Sequence, residues 1–312
     1  MPCKLLMMYS THQPSIQHIE TAEHYLGLDS VVVATSEEHA IEAAKSAEII
    51  FGHRYLRQVM PFSKHLHWVQ STAAGMDRLP LDDLKAKGVT LTRSTLGSKT
   101  IARHTYTLMW SLIRGLHHTF LNQLNQDYNT NIQILPEPKR VLVLGTGSIG
   151  TELADILNKD QISVSGVNRS GNKPQGFEQV YTGKNWYAAL PQTDVLIMAL
   201  PADITTTHCV NAEVLANLPS HAIVINVGRE ETLDTDALCN ALLNKQLGAA
   251  ALDVTPQDYR NKNSVLWTTP NLLVTPHNAA HSAERASHLE HFFIQQLARY
   301  TSGQNLLNSV SL

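Results

Sequence analysis

Residues 141–170 read VLVLGTGSIGTELADILNKDQISVSGVNRS. The apolar run Val141–Leu144 meets Gly145, Gly147 and Gly150, and a helical pattern starts at once, with Ile149, Leu153, Ile156 and Leu157 on one face. A second apolar run, Ile162–Val167, follows. The order is strand, glycine turn, helix, strand. In such a unit the first glycine permits the tight turn, the second lets a pyrophosphate approach the backbone, and the third lets the helix pack on the sheet. The helix N-terminus adds N–H donors and a positive dipole end for the phosphates. Gly145, Thr146, Gly147, Ser148, Ile149 and Gly150 are therefore candidate cofactor-binding residues.

The end of the second strand refines this reading. A site for NAD places Asp or Glu about 20 residues after the glycines, against the ribose 2′-hydroxyl. Here Asn168, Arg169 and Ser170 stand there, with Lys173 close by in sequence. No carboxylate repels a 2′-phosphate, and a guanidinium, a hydroxyl and an amide are available to bind one. The expectation is NADP(H) in preference to NAD(H).

The whole chain sets outer limits. At 312 residues it has room for about two domains. It is 43% hydrophobic and 16% charged, with a net charge of −3, so no basic surplus draws nucleic acid or an anionic membrane. The opening MPCKLLMMYS reads as a first strand rather than a signal peptide, and no run approaches a membrane span. Cys3, Cys209 and Cys239 are odd in number and form no metal or redox spacing, which suits a reducing cytoplasm. His277 and His281 are four apart, and His288 and His291 three apart. The zinc-protease Glu is missing beside His277, so no metal site is expected.

The first third alternates strand-like runs (4–9, 31–35, 48–53, 67–72, 89–93) with helical segments, and Thr35 with Glu38 has the form of a capping box. Residues 99–116 form one long amphipathic helix, and the polar stretch NQLNQDYNTNIQ after it reads as a loop. Beyond residue 141, strands are expected at 195–200, 223–227, 249–254 and 272–275, with helices near 211–216, 235–244 and about 281–300. Strands separated by helices imply parallel βαβ units.

Ligands of open α/β sheets bind beyond the carboxyl ends of the strands. Ala73-Ala74-Gly75 follows the strand at 67–72, Gly228-Arg229 the strand at 223–227, Asp258 the strand at 249–254, and His277 the strand at 272–275. This set suits reduction of a 2-oxo acid. Arg229 grips a carboxylate with two hydrogen bonds. His277 gives or takes the proton. Asp258 fixes the His tautomer, and the Ala74 and Gly75 amides bind the substrate carboxylate. Asp253, at the end of a buried strand, reads as structural rather than catalytic.

At these residues the chain resembles the D-isomer-specific 2-hydroxyacid dehydrogenases, nearest the glyoxylate/hydroxypyruvate reductases. The motifs are STAAGMD (71–77), VLVLGTGSIG, LPADITTTHCVN (200–211), INVGR (225–229), ALDV (251–254) and NLLVTPHNAA (271–280). The resemblance implies two doubly wound parallel-sheet domains of an α/β fold. A Rossmann dinucleotide-binding domain (98–280) is inserted in a flavodoxin-like substrate domain (1–97 plus 281–312). It adds Leu200, Pro201, Thr206, Val227, Gly228 and Asp253 to the cofactor-binding set, keeps Arg229 for substrate and His277 as acid/base, and implies a homodimer involving the helix at 99–116. Three positions depart from the family pattern: Asp258 stands for a Glu, Glu230 for a Gly, and Arg103 for a Glu. An NAD(P)-sensing, non-catalytic protein on the same fold is the alternative; Glu230 and Asp258 favour it, and retention of Arg229 and His277 opposes it.

Overall fold

The computed structural model describes residues 3–9, 13–76, 79–130, 132 and 134–312. Asp77 of STAAGMD, Asn131 and Gln133 of the polar stretch, and both ends of MPCKLLMMYS lie outside the described residues. The chain divides into two compact units: one runs to Gly97 and resumes at Ser282, the other spans Ser98–His281.

The first unit starts with β1 (Leu5–Met8), α1 (Ile16–Leu26), β2 (Val31–Val33), α2 (Glu37–Ala44), β3 (Ile49–Gly52), α3 (Leu56–Val59), β4 (Trp68–Gln70), α4 (Leu81–Ala86) and β5 (Thr90–Thr92). The second unit holds α5 (Ser98–Ile113), α6 (Leu116–Leu124), β6 (Arg140–Leu144), α7 (Ser148–Lys159), β7 (Ser163–Val167), β8 (Gln179–Tyr181) and β9 (Val195–Met198). It continues with α8 (Ala212–Ala216), β10 (Ile223–Asn226), α9 (Thr235–Leu243), β11 (Ala249–Leu252) and β12 (Leu272–Val274). The chain then returns to the first unit with α10 (Arg285–Thr301) and β13 (Ser309–Val310).

Among the described residues, the first sheet has the order β13-β5-β4-β3-β1-β2, and only β13 pairs antiparallel. Its parallel part, 2-1-3-4-5, is the flavodoxin-like doubly wound order. The second sheet is β12-β11-β10-β9-β6-β7-β8, parallel throughout. Counted from β6, that is the dinucleotide-binding order 3-2-1-4-5-6 with one more strand, and the order reverses between β6 and β9.

Both faces of the second sheet are buried, as parallel sheets require. Val141 and Val143 pack with Leu153, Leu157 and the α5 residues Leu108, Met109 and Leu112. Leu142 and Leu144 point the other way, into Leu190, Leu196, Val214 and Leu238. Each such side chain contributes about 1.5–3 kcal/mol when fully buried. One-residue alternation along β6 thus serves two cores, and its register is fixed.

Four local expectations are corrected. Ser36, not Thr35, caps α2: its side chain accepts from the His39 N–H. The long helix ends at Ile113, where Gly115 turns left-handed (φ 62°), and α6 occupies the start of the expected loop. The last helix begins at Arg285 rather than His281. The short strands β8 and β13 were not anticipated.

Candidate active site

The phosphate loop sits where β6 feeds α7. Gly145 has φ 104°, open to glycine at little cost, and a Cβ there would lie 2.6 Å from the Ala199 carbonyl oxygen. A Cβ on Gly150 would collide with the Gly145 carbonyl, so helix and turn touch through bare backbone. At Gly147 an added Cβ would meet nothing within 4 Å: the space is open for a ligand. No side chain caps α7, so the first N–H groups of this 12-residue helix are left for an anion. The Ser148 hydroxyl is engaged, accepting from Ser98 Oγ at 2.8 Å.

This loop forms one wall of a cavity of about 810 Å³, and Thr146, Asn168, Arg169, Ser170, Leu200, Pro201 and Thr206 line it too. The size and the uncapped helix end fit a dinucleotide. Ser148, Ile149, Gly150, Val227, Gly228 and Asp253 are not part of that lining. The sequence reading missed Lys184, Trp186, Tyr187, Asp203 and His208, which are. Lys184 follows β8, a strand with no apolar run to announce it. Lys173 is not in the lining; its ammonium donates to the Glu178 carbonyl at 3.4 Å.

Asn168 is spent on architecture. Its amide donates to Thr146 Oγ1 (2.7 Å) and to the Asn172 carbonyl (2.8 Å), and its carbonyl accepts from Gly171 N–H (2.7 Å). It welds the loop after β7 to the glycine turn. Arg169 pairs with Asp203 across 3.3 Å.

At the same sheet edge, β10 delivers Arg229. The buried Asn226 side chain accepts from Gly228 N–H and donates to the Arg229 carbonyl, both at 3.0 Å, and Thr232 Oγ1 donates to that carbonyl at 2.7 Å. The guanidinium donates to the Gly228 carbonyl at 2.9 Å. The turn is braced on both sides of Arg229.

β12 delivers His277, two strands away across β11. His277 is exposed and has φ 55°, a conformation that costs a non-glycine residue about 1 kcal/mol or more. Asp253, 2% exposed at the end of β11, holds it there. Its carboxylate accepts from Thr275 Oγ1 (2.7 Å), Asn278 N–H (3.0 Å) and Ala279 N–H (3.2 Å), on both sides of the histidine. His104 on α5 completes the cluster, 3.7 Å from Asp253 and 3.3 Å from Thr275 Oγ1. Burial lowers the His104 pKa, and the Asp253 charge opposes that shift.

The structure does not bring Asp258 to His277. Asp258 is exposed on a 3-10 turn (Gln257–Arg260), its carbonyl tied to Asn261, and among the described residues no ion pair joins it to His277. The side chain is short and the turn leaves it in solvent. Arg103 is likewise exposed on α5, and Glu230 opens a 3-10 turn directly after Arg229.

In the other unit, Ala74 and Gly75 follow β4. Ala73 N–H donates to Ser71 Oγ and its carbonyl accepts from Ser94 N–H, both at 3.2 Å. Among the described residues, the Ala74 and Gly75 amides have no backbone acceptor.

The sequence profile described as D-isomer specific 2-hydroxyacid dehydrogenase, NAD binding domain, matches residues 106–279, more than half of the chain. The chain belongs to that family. This dehydrogenase is 28% identical over 250 residues to 2-hydroxyacid dehydrogenase homolog 1 of Schizosaccharomyces pombe, covering 74% of this chain and 75% of the relative. It is 31% identical over 180 residues to glyoxylate/hydroxypyruvate reductase A of Salmonella paratyphi B, covering 56% and 57%. A crystal structure of a D-isomer specific 2-hydroxyacid dehydrogenase from Xanthobacter autotrophicus Py2, in complex with NADPH and MES, superposes with a TM-score of 0.81 at 25% identity, covering 99% and 98%. The dehydrogenase is thus an NAD(P)-dependent oxidoreductase of the 2-hydroxyacid class. Among its described residues no helix is long and apolar enough to cross a membrane.

Proposed function

We propose that this dehydrogenase uses NADPH in preference to NADH to reduce a small 2-oxo acid of the glyoxylate or hydroxypyruvate kind. The observation that carries the reading is one sheet edge bearing the open glycine turn, a braced Arg229 and a His277 held out by a buried carboxylate. The unit Ser98–His281 serves as the cofactor domain and the other as the substrate domain. Gly145, Gly147 and the α7 N-terminus hold the pyrophosphate, and Arg169 meets the 2′-phosphate. The NADPH of the Xanthobacter relative supports that choice. Bound there, the cofactor supplies a hydride.

Arg229 binds the substrate carboxylate with paired charge-assisted hydrogen bonds. The Ala74 and Gly75 amides of the other unit are further donors suited to a substrate anion. His277, protonated, donates a hydrogen bond to the carbonyl oxygen and then gives up its proton to it. Asp253 fixes the loop from which His277 projects. The protein forms a homodimer, for which the apolar residues of α6 are suited: Leu116, Phe120, Leu121 and Leu124 are all exposed.

Steady-state kinetics of two variants test the assignment. Arg229→Ala should raise KM for the 2-oxo acid about 100-fold, the worth of a lost charged hydrogen-bond pair. His277→Ala should lower kcat about 1000-fold with KM within a few-fold. Similar, mild losses in both would refute the roles.

A further inference from the structure

The Arg169 guanidinium already has a partner. Asp203 Oδ2 lies 3.3 Å from it, and both residues line the cofactor cavity. Asp203 is built into place. Its Oδ1 accepts from Thr205 N–H (2.8 Å), Thr205 Oγ1 (2.6 Å) and Thr206 N–H (3.1 Å), and its own N–H donates to Thr206 Oγ1 at 2.8 Å. One oxygen is consumed by the turn and the other is presented to Arg169. The Thr205 hydroxyl bond, the turn amides and Arg169 together hold the carboxyl below the usual carboxylate range, so it stays anionic at neutral pH. Arg169 is highly exposed, so the pair is weak and a dianion can displace it.

A cofactor-selecting site of this fold normally carries its acid at the end of the second strand. Here that position is Asn168, consumed by its own loop. The acid comes instead from the turn after β9. We propose that Asp203 sets cofactor selectivity by competing with the 2′-phosphate for Arg169, which restrains the NADPH preference and leaves NADH usable. The inference rests on the reading of this cavity as the site of the adenosine ribose.

Asp203→Asn is the informative change, because the Asn carbonyl keeps the turn bonds and only the charge is lost. Binding of 2′,5′-ADP and of 5′-AMP is measured by titration calorimetry at fixed ionic strength, on wild type, Asp203→Asn, Arg169→Gln and the double variant. Removing the charge should raise the preference for 2′,5′-ADP over 5′-AMP about three- to tenfold, from a lost competing pair and lost repulsion. In the Arg169→Gln background the same change should give less than about twofold, since no guanidinium is left to compete for. An unchanged or lower preference in Asp203→Asn overturns the proposal, as does an undiminished gain without Arg169. The wild-type preference reads the NADPH assignment separately. Wild type favouring 5′-AMP would sink that assignment, while a rise in Asp203→Asn would still support competition at Arg169.

Discussion

Two loops leave the same edge of the second sheet and are held in opposite ways. The loop at 275–279, after β12, is tied from inside: a buried carboxylate, Asp253, receives three hydrogen bonds around His277. The loop at 168–172, after β7, is tied by its own Asn168 amide and by the exposed Arg169–Asp203 pair. The first carries a strained backbone at φ 55° and needs a rigid support. The second presents groups that a ligand can recruit from weak partners. In the roles proposed above, the core places the acid/base group, and cofactor choice is left to the surface, where a few charges would decide it.

The largest blow to this contrast is Asp253→Asn. One amide face would present a donor to donors already there, which costs about 3 kcal/mol of stability. Freed from its brace, His277 should lose about 100-fold in kcat, because small misplacements of a catalytic group are expensive. Urea denaturation and steady-state rates read the two effects. Adding Asp253→Asn to His277→Ala should cost no further turnover; a full additional loss would mean that Asp253 acts by some other route.

The surface loop should respond differently. Arg169→Gln is expected to raise KM for NADPH about tenfold and leave KM for NADH within twofold, the loss of one charged hydrogen-bond donor. Equal shifts for both cofactors would break the assignment. Asn168→Ala, which unpins the loop from Thr146, should destabilise by about 1 kcal/mol and raise KM for NADPH a few-fold; thermal melts and cofactor titrations check it. The smallest change is Asp258→Asn, at an exposed residue that among the described residues forms no ion pair with His277. It should alter kcat less than about twofold, as surface substitutions usually do. A large fall in kcat would restore Asp258 as the partner of His277.

Much of this was legible in the sequence, for physical reasons. Apolar runs of four or five residues between helical patterns mark buried parallel strands, and the residues just beyond them must lie at the ligand edge. That reasoning puts Arg229 and His277 at the edge, where β10 and β12 deliver them, and the glycine spacing puts Gly145 in the turn after β6. Asp258 lies exposed on its 3-10 turn, and a spacing of five from Asp253 does not say which way such a turn aims a short side chain. Ser36 and Thr35 are both capping residues, and only the backbone shows which one starts α2. The helix α6 was overlooked because its apolar residues are exposed rather than facing a core. Lys184 and Asp203 reach the cofactor cavity from turns after β8 and β9, distant in sequence from the glycine fingerprint, and no local pattern links them to it. Glu230 and Arg103, departures from the family pattern, lie outside the glycine fingerprint at 145–150.

The most direct test is a steady-state assay of the purified protein with glyoxylate and hydroxypyruvate, each with NADPH and with NADH. The account predicts turnover of at least one of the two acids, with a higher kcat/KM for NADPH. Tight NADPH binding without turnover of either acid would contradict it, as would turnover that favours NADH.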